Sequence, residues 1–231
     1  MRIRITWKYI LAFFALNMVM GELHEQAHIN TGFLICGCYG PRDFNVWATC
    51  EQCVHPSMAY LATLAGPLFS CFLMWVGALW FARSRNEFRQ QIGFSLLFAN
   101  LPFARIFTAL MGGGDEKVVV QALTAGDLSQ LSSKIIALVI VVSICLPPMI
   151  IAAKHLKNKN RGWIIAGFAT IPLIYGMLYH HIFLNSLLKK GILSNVHFLG
   201  SADIILIHVI LMMLLLLFFR KGLTALKNEH D

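Results

Sequence analysis

"WKYILAFFALNMVMGELHEQAHINTG", Trp7 to Gly32, starts as an apolar run and ends with two histidines and two glutamates packed into seven residues. A helix rises about 1.5 Å per residue, so about 20 apolar residues cross roughly 30 Å of hydrocarbon. Read as a span over about 8–30, the stretch carries its polar end to one surface of a bilayer. Polar side chains are costly at that depth and usually mark function.

Runs of similar character recur at about 57–81, 92–112, 134–153, 162–186 and 202–219. Backbone amides in lipid need partners within their own segment, so each run is expected to be a helix. Composition agrees. Of 231 residues, 58% are hydrophobic and 13% charged, against about 25% charged in soluble domains. The expectation is an all-α, polytopic membrane protein of about six transmembrane helices, one integral membrane domain over residues 1–231.

The net charge of +8 would suit nucleic acid, but its distribution points to a lipid bilayer. Arg2, Arg4 and Lys8 precede or open the first run, and Arg83, Arg85 and Arg89 separate the second from the third. Lys154, Lys157, Lys159 and Arg161 separate the fourth from the fifth, and Arg220, Lys221 and Lys227 follow the sixth. The alternate connections hold Arg42, Lys117, Lys134, Lys189 and Lys190. Basic residues collect on the cytoplasmic side. Both termini are therefore expected in the cytoplasm, with the polar end of the first span toward the exterior. The N-terminus also imitates a signal peptide, with "VMG" before Glu22, but the apolar run continues past that point.

His24-Glu25-Gln26-Ala27-His28 is an HExxH sequence. Residues four apart share a helix face, so both imidazoles can reach one metal ion, with Zn²⁺ the usual guest. Glu25 beside them can take a proton from an activated water and later deliver it to a leaving amine. A helix end meeting headgroups would also explain polar residues here. Glutamate is scarce in this chain, which favours the metal site.

A catalytic zinc site usually has three protein ligands. The third must lie at the depth of His24 and His28, which sets aside Glu87, Glu229 and Asp231 on the cytoplasmic side. The third run travels outward and ends in "LMGGGDEKVV", Leu110 to Val119. Three glycines loosen the backbone there, and Asp115 arrives at the matching level. Glu116 is the nearest substitute, and His180-His181 at the outer end of the fifth run is another. Arg105, deep in the third run, needs a cavity or a partner.

With these segments in view, the chain resembles the site-2 protease family of intramembrane zinc metalloproteases. Three segments stand in the family's order: "HEQAH", then "LATLAGPLFS" at Leu61–Ser70 with its Ala-Gly-Pro, then "NLPFARIFTALMGGGD" at Asn100–Asp115. The resemblance covers about residues 10–120. It implies a protease in which His24, His28 and Asp115 bind one zinc and Glu25 is the general base. Asn100 would contact the substrate or its oxyanion, and Pro102 matches the family's proline. The implied substrate is a membrane-anchored or juxtamembrane peptide segment. Two features depart from the family: the step from Asn100 to Asp115 is long, and the loop charges put the site toward the exterior rather than the cytoplasm. On this reading residues 1–120 are the catalytic core, with loop 31–56, and 121–231 are additional packing helices. Two other readings compete. A divalent-metal carrier would use His24, His28, Asp115 and His180, with His208 the one deep histidine beyond them. A non-catalytic membrane assembly factor would carry a degenerate site.

"CGCYGPRDFNVWATCEQC", Cys36 to Cys53, joins the first two spans on the exterior side. An oxidising compartment would staple it with two disulfides. A Cys36–Cys38 ring is too tight, which leaves Cys36–Cys50 with Cys38–Cys53, or Cys36–Cys53 with Cys38–Cys50. A structural zinc site using these thiolates, or three of them with His55, is the rival. Cys71 and Cys145 lie in apolar runs and behave as small hydrophobes. Pro147-Pro148 and Pro172 predict kinks, and Gly66 permits close helix approach.

Overall fold

A computed structural model describes residues 1–224; Lys227, Glu229 and Asp231 lie outside the described residues. Most of the described residues are helical. Helix α1 (Trp7–Cys36) is followed by α2 (Ala59–Arg83), α3 (Glu87–Ala99), α4 (Pro102–Met111) and α5 (Asp115–Leu123). Then come α6 (Gln130–His155), α7 (Arg161–Tyr175), a π-helical segment (Gly176–Leu184) and α8 (Asn185–Lys189). A small antiparallel hairpin, β1 (Val196–Phe198) with β2 (Ser201–Ala202), leads into α9 (Asp203–Phe219).

Among the described residues, five helical stretches are long and apolar enough to cross a membrane: Pro56–Arg83, Glu87–Met111, Gln130–His155, Arg161–Lys189 and Asp203–Thr224. The expected count was about six. The difference is α1, whose 30 residues suffice in length. Glu22, His24, Glu25, Gln26 and His28 dilute its apolar stretch.

Local chemistry sets the ends of α1. The Thr6 hydroxyl accepts from the Tyr9 N–H at 3.1 Å, a standard helix start. At the other end Gly37 takes φ 75°, and its N–H returns to the Phe33 carbonyl. Between them the helix runs without interruption through Gly21 and the HExxH turn, so both histidines stand on firm backbone.

The third predicted span is not one helix. It breaks after Ala99, with Leu101 left-handed at φ 54° and α4 starting at Pro102. The proline ring excludes the α conformation for the residue before it and offers no N–H to continue the ladder. The carbonyls freed at the break find side-chain donors: Asn17 Nδ2 donates to Ala99 at 2.7 Å and Asn100 Nδ2 to Leu96 at 2.7 Å. Beyond α4, Gly112 and Gly114 take positive φ and swing the chain into α5, whose first residue is Asp115. The prolines in α6 and α7 sit inside continuous helix.

One core binds the helices on the side away from the HExxH turn. Phe168 is its hub, with ring centroids 4.7 Å from Phe13, 5.1 Å from Phe94 and 5.8 Å from Phe98. Tyr9, buried beside them, bonds Ser95 at 2.8 Å. A second cluster, Phe44 with Leu184, Ala202, Ile204 and Ile205, seats the cysteine loop on the C-terminal helices.

Candidate metal centre

The HExxH turn puts His24 and His28 on one face of α1, and the glycine turn brings Asp115 to meet them. Their Nε2 atoms are 3.1 Å apart, and Asp115 Oδ2 lies 3.7 Å from His24 and 3.6 Å from His28. Tetrahedral zinc with bonds of about 2.0–2.2 Å holds its ligand atoms roughly 3.3–3.6 Å apart. The three separations straddle that range, so the donors fit a small cation without rearrangement. Two imidazoles and a carboxylate are a ligand set for a divalent transition metal. Burial works to raise the Asp115 pKa, but the two imidazoles beside it outweigh this and hold it below the usual carboxylate range.

The outer nitrogens orient the rings. His28 Nδ1 lies 2.8 Å from the Ala62 carbonyl, which can only accept. Nδ1 therefore carries the hydrogen, and the Nε2 lone pair faces Asp115, as a metal ligand requires. His24 Nδ1 has Ser70 Oγ at 3.0 Å and Arg105 Nη2 at 3.1 Å. Of these two, the serine alone can accept a hydrogen; a guanidinium only donates.

Space for the rings comes from α2. A Cβ on Gly66 would collide with the ring of His28 and reach His24 Cε1 at 2.7 Å. Trp47, from the cysteine loop, stacks on His28 with centroids 5.2 Å apart and planes 17° apart. Ala62, Gly66 and Ser70 stand four residues apart on one stripe of α2. That spacing was available to sequence reasoning and went unread; it picks out Ser70 beside His24. Trp47 carried no such signal.

A cavity of about 300 Å³ opens beside the triad, lined by His24, Glu25, Asn100, Arg105, Asp115 and His180 among others. Glu25 is 8% exposed, and its Oε2 is buried without a partner. Asn100 has spent Nδ2 on Leu96, and the atom it leaves unpaired is Oδ1, an acceptor. Glu116 does not face the histidines. Its Oε1 receives Arg105 Nη1 at 2.7 Å, which supplies the partner that the depth of Arg105 demanded. Of the two other histidines, His180 lines the cavity, while His181 lies outside it with its Nδ1 2.9 Å from Asn45 Nδ2.

The cysteines pair as Cys36–Cys53 and Cys38–Cys50, the nested alternative, which leaves no thiolate set for a structural zinc. The stapled loop is clamped to α1. Arg42 donates through both arms to Glu22, at 2.9 and 2.9 Å, with side chains 1% and 10% exposed. Arg42 and Gln26 also donate to Ser201 Oγ, at 3.0 and 3.1 Å. The Phe44 N–H donates to Asn185 Oδ1 at 3.1 Å. The C-terminal half thus does more than pack around the core: it supplies His180 to the cavity and braces the loop above it.

Comparison with protein-family models, curated proteins and solved structures finds no match to this chain.

Proposed function

We propose that the chain is a membrane-embedded zinc metallopeptidase that hydrolyses a peptide bond of a membrane-anchored or juxtamembrane substrate. One observation carries this reading: His24, His28 and Asp115 converge with ion-compatible spacing, and His24 and Asp115 line a cavity that also holds the unpaired carboxylate oxygen of Glu25. Zinc held by the three side chains would supply Lewis acidity, lowering the pKa of the attacking water and polarising the scissile carbonyl. Glu25 accepts the proton of that water and delivers it to the departing amine nitrogen. Asn100 Oδ1 accepts a hydrogen bond from a substrate N–H and fixes the strand in the cavity. Arg105, bonded to Glu116, ties α4 to α5 beside Asp115.

Two independent features support the orientation. The basic connections alternate so as to put both termini in the cytoplasm. The paired cysteines call for an oxidising compartment on the opposite side, where the loop and the cavity lie. Water reaches such a site directly, and substrates cut near their outward-facing ends follow.

A metal carrier needs a second tier of ligands. Among the described residues, His24, His28 and Asp115 are the one group of three metal-ligating side chains that converges, which favours a fixed site over a relay.

The test is zinc content and cleavage of fluorescently labelled casein by the purified full-length protein, with Glu25→Gln as control. About one zinc per chain and cleavage that vanishes in the variant are expected. Equal hydrolysis by both proteins would remove the mechanism.

A further inference from the structure

We propose that His180 is a substrate-binding residue of this cavity, donating a hydrogen bond to the carbonyl oxygen under attack. The proposal rests on the peptidase reading and adds to it a hydrogen-bond donor from the C-terminal half of the chain.

Buried polar atoms almost always have a partner, and each exception needs a reason. Among the described residues, five buried side-chain atoms have none, and three of them, Glu25 Oε2, Asn100 Oδ1 and His180 Nε2, belong to residues lining the one cavity beside the metal triad. The first two are acceptors. Peptide hydrolysis also needs a donor where negative charge develops on the carbonyl oxygen. Several other donors on the cavity wall have a partner: Arg105 Nη1 donates to Glu116, Asn100 Nδ2 donates to Leu96 and Asn45 Nδ2 meets His181. A histidine ring always carries at least one N–H, and that of His180 makes no hydrogen bond among the described residues.

The ring is aimed rather than loose. His180 sits in the middle of the π-helical segment Gly176–Leu184. Such segments re-aim side chains that a regular helix would turn away, and they recur at functional sites. Phe44 packs 5.6 Å and His208 5.3 Å from the ring, centroid to centroid. Just beyond His180 the chain is latched to the stapled loop: Asn45 Nδ2 meets His181, and Asn185 Nδ2 donates to Asn45 Oδ1 at 2.7 Å. The fold thus fixes His180 from three directions and spends none of its hydrogen-bonding capacity.

The experiment uses the zinc-loaded full-length protein and compares wild type with His180→Ala, His180→Phe and His180→Gln. His180→Phe keeps the ring volume against Phe44 and His208, so it serves if the alanine variant does not fold. Three quantities are read: zinc per chain, kcat and KM for labelled casein, and affinity for a phosphonate peptide that mimics the tetrahedral anion. Unchanged zinc is expected, with kcat and phosphonate affinity lower by about 10²–10³-fold in the alanine and phenylalanine variants. KM should stay within about twofold, and His180→Gln, which restores an N–H, should recover part of the loss. Wild-type kcat and phosphonate affinity in those variants would overturn the proposal, as would a loss that tracks zinc content. A wild-type protein that holds zinc yet neither cleaves casein nor binds the phosphonate would instead overturn the peptidase reading beneath it.

Discussion

The ring of His28 lies so close over Gly66 that a side chain of even one carbon on α2 would occupy the position of its Nε2. The helix carrying the HExxH turn can reach its depth in the bundle because residue 66 has no Cβ. Gly66→Ala should therefore push both imidazoles away from Asp115 without changing the identity of any candidate ligand. Zinc affinity, measured by chelator competition, should fall about 10–100-fold, the range typical of damage just outside the ligands. Undiminished affinity would contradict the packing.

Glu25→Gln should bind zinc as wild type does, because Glu25 is outside the ligand triad. Cleavage of casein should fall by about 10²–10⁴-fold, the usual contribution of a general base. Metal analysis and a cleavage assay on the same preparation check both halves.

Asp115 and Glu116 are neighbours with opposite expected phenotypes. Asp115→Ala should lose zinc and stay folded. Glu116→Gln should retain zinc but leave Arg105 buried without its charge partner, a change that costs about 3–5 kcal/mol. Thermal unfolding with and without zinc separates the two. Loss of zinc from the Glu116 variant alone would reassign the third ligand.

The Arg42–Glu22 clamp should behave as a buried pair. Arg42→Met alone strands the Glu22 carboxylate and should destabilise the protein by about 3–5 kcal/mol, whereas Arg42→Met with Glu22→Met should recover most of that loss. A double-mutant cycle on unfolding midpoints measures the coupling.

Digestion without reductant should release Cys36 joined to Cys53 and Cys38 joined to Cys50, identifiable by mass spectrometry. Cutting the wider link, which spans 17 positions, should cost about 3 kcal/mol on the loop-entropy estimate. Recovery of Cys36 joined to Cys50 would refute the loop path.

Much of the architecture was legible because lipid imposes a simple rule: long apolar runs become helices, and five of the predicted six satisfy that rule in the structure. The convergence of His24, His28 and Asp115 was legible for local reasons, the four-residue step from His24 to His28 and the glycine run before Asp115. The break at Leu101 was signalled by Pro102, but hydropathy alone read 92–112 as one rod. Other features had no local signature. "GMLYHHIFL" looks like any apolar helix, so nothing in it announces π-helical winding or singles out His180 over His181. The disulfide pairing depends on where Arg42 and Phe44 are held, by Glu22 and by Asn185, and those contacts join distant parts of the chain. Arg105 was seen to need a partner; that Glu116 fills the role follows from the turn at Gly112 and Gly114.

The bracing of the stapled loop by Asn185 and Ser201 bears on the order of manufacture. A ribosome delivers the HExxH turn and the cysteines early, and those two anchors some 150 residues afterwards. Until the late helices insert, Arg42 and Phe44 lack part of their seating and His180 does not yet exist at the cavity wall. The cavity beside the His24–His28–Asp115 cluster is thus completed only after the late helices have been made.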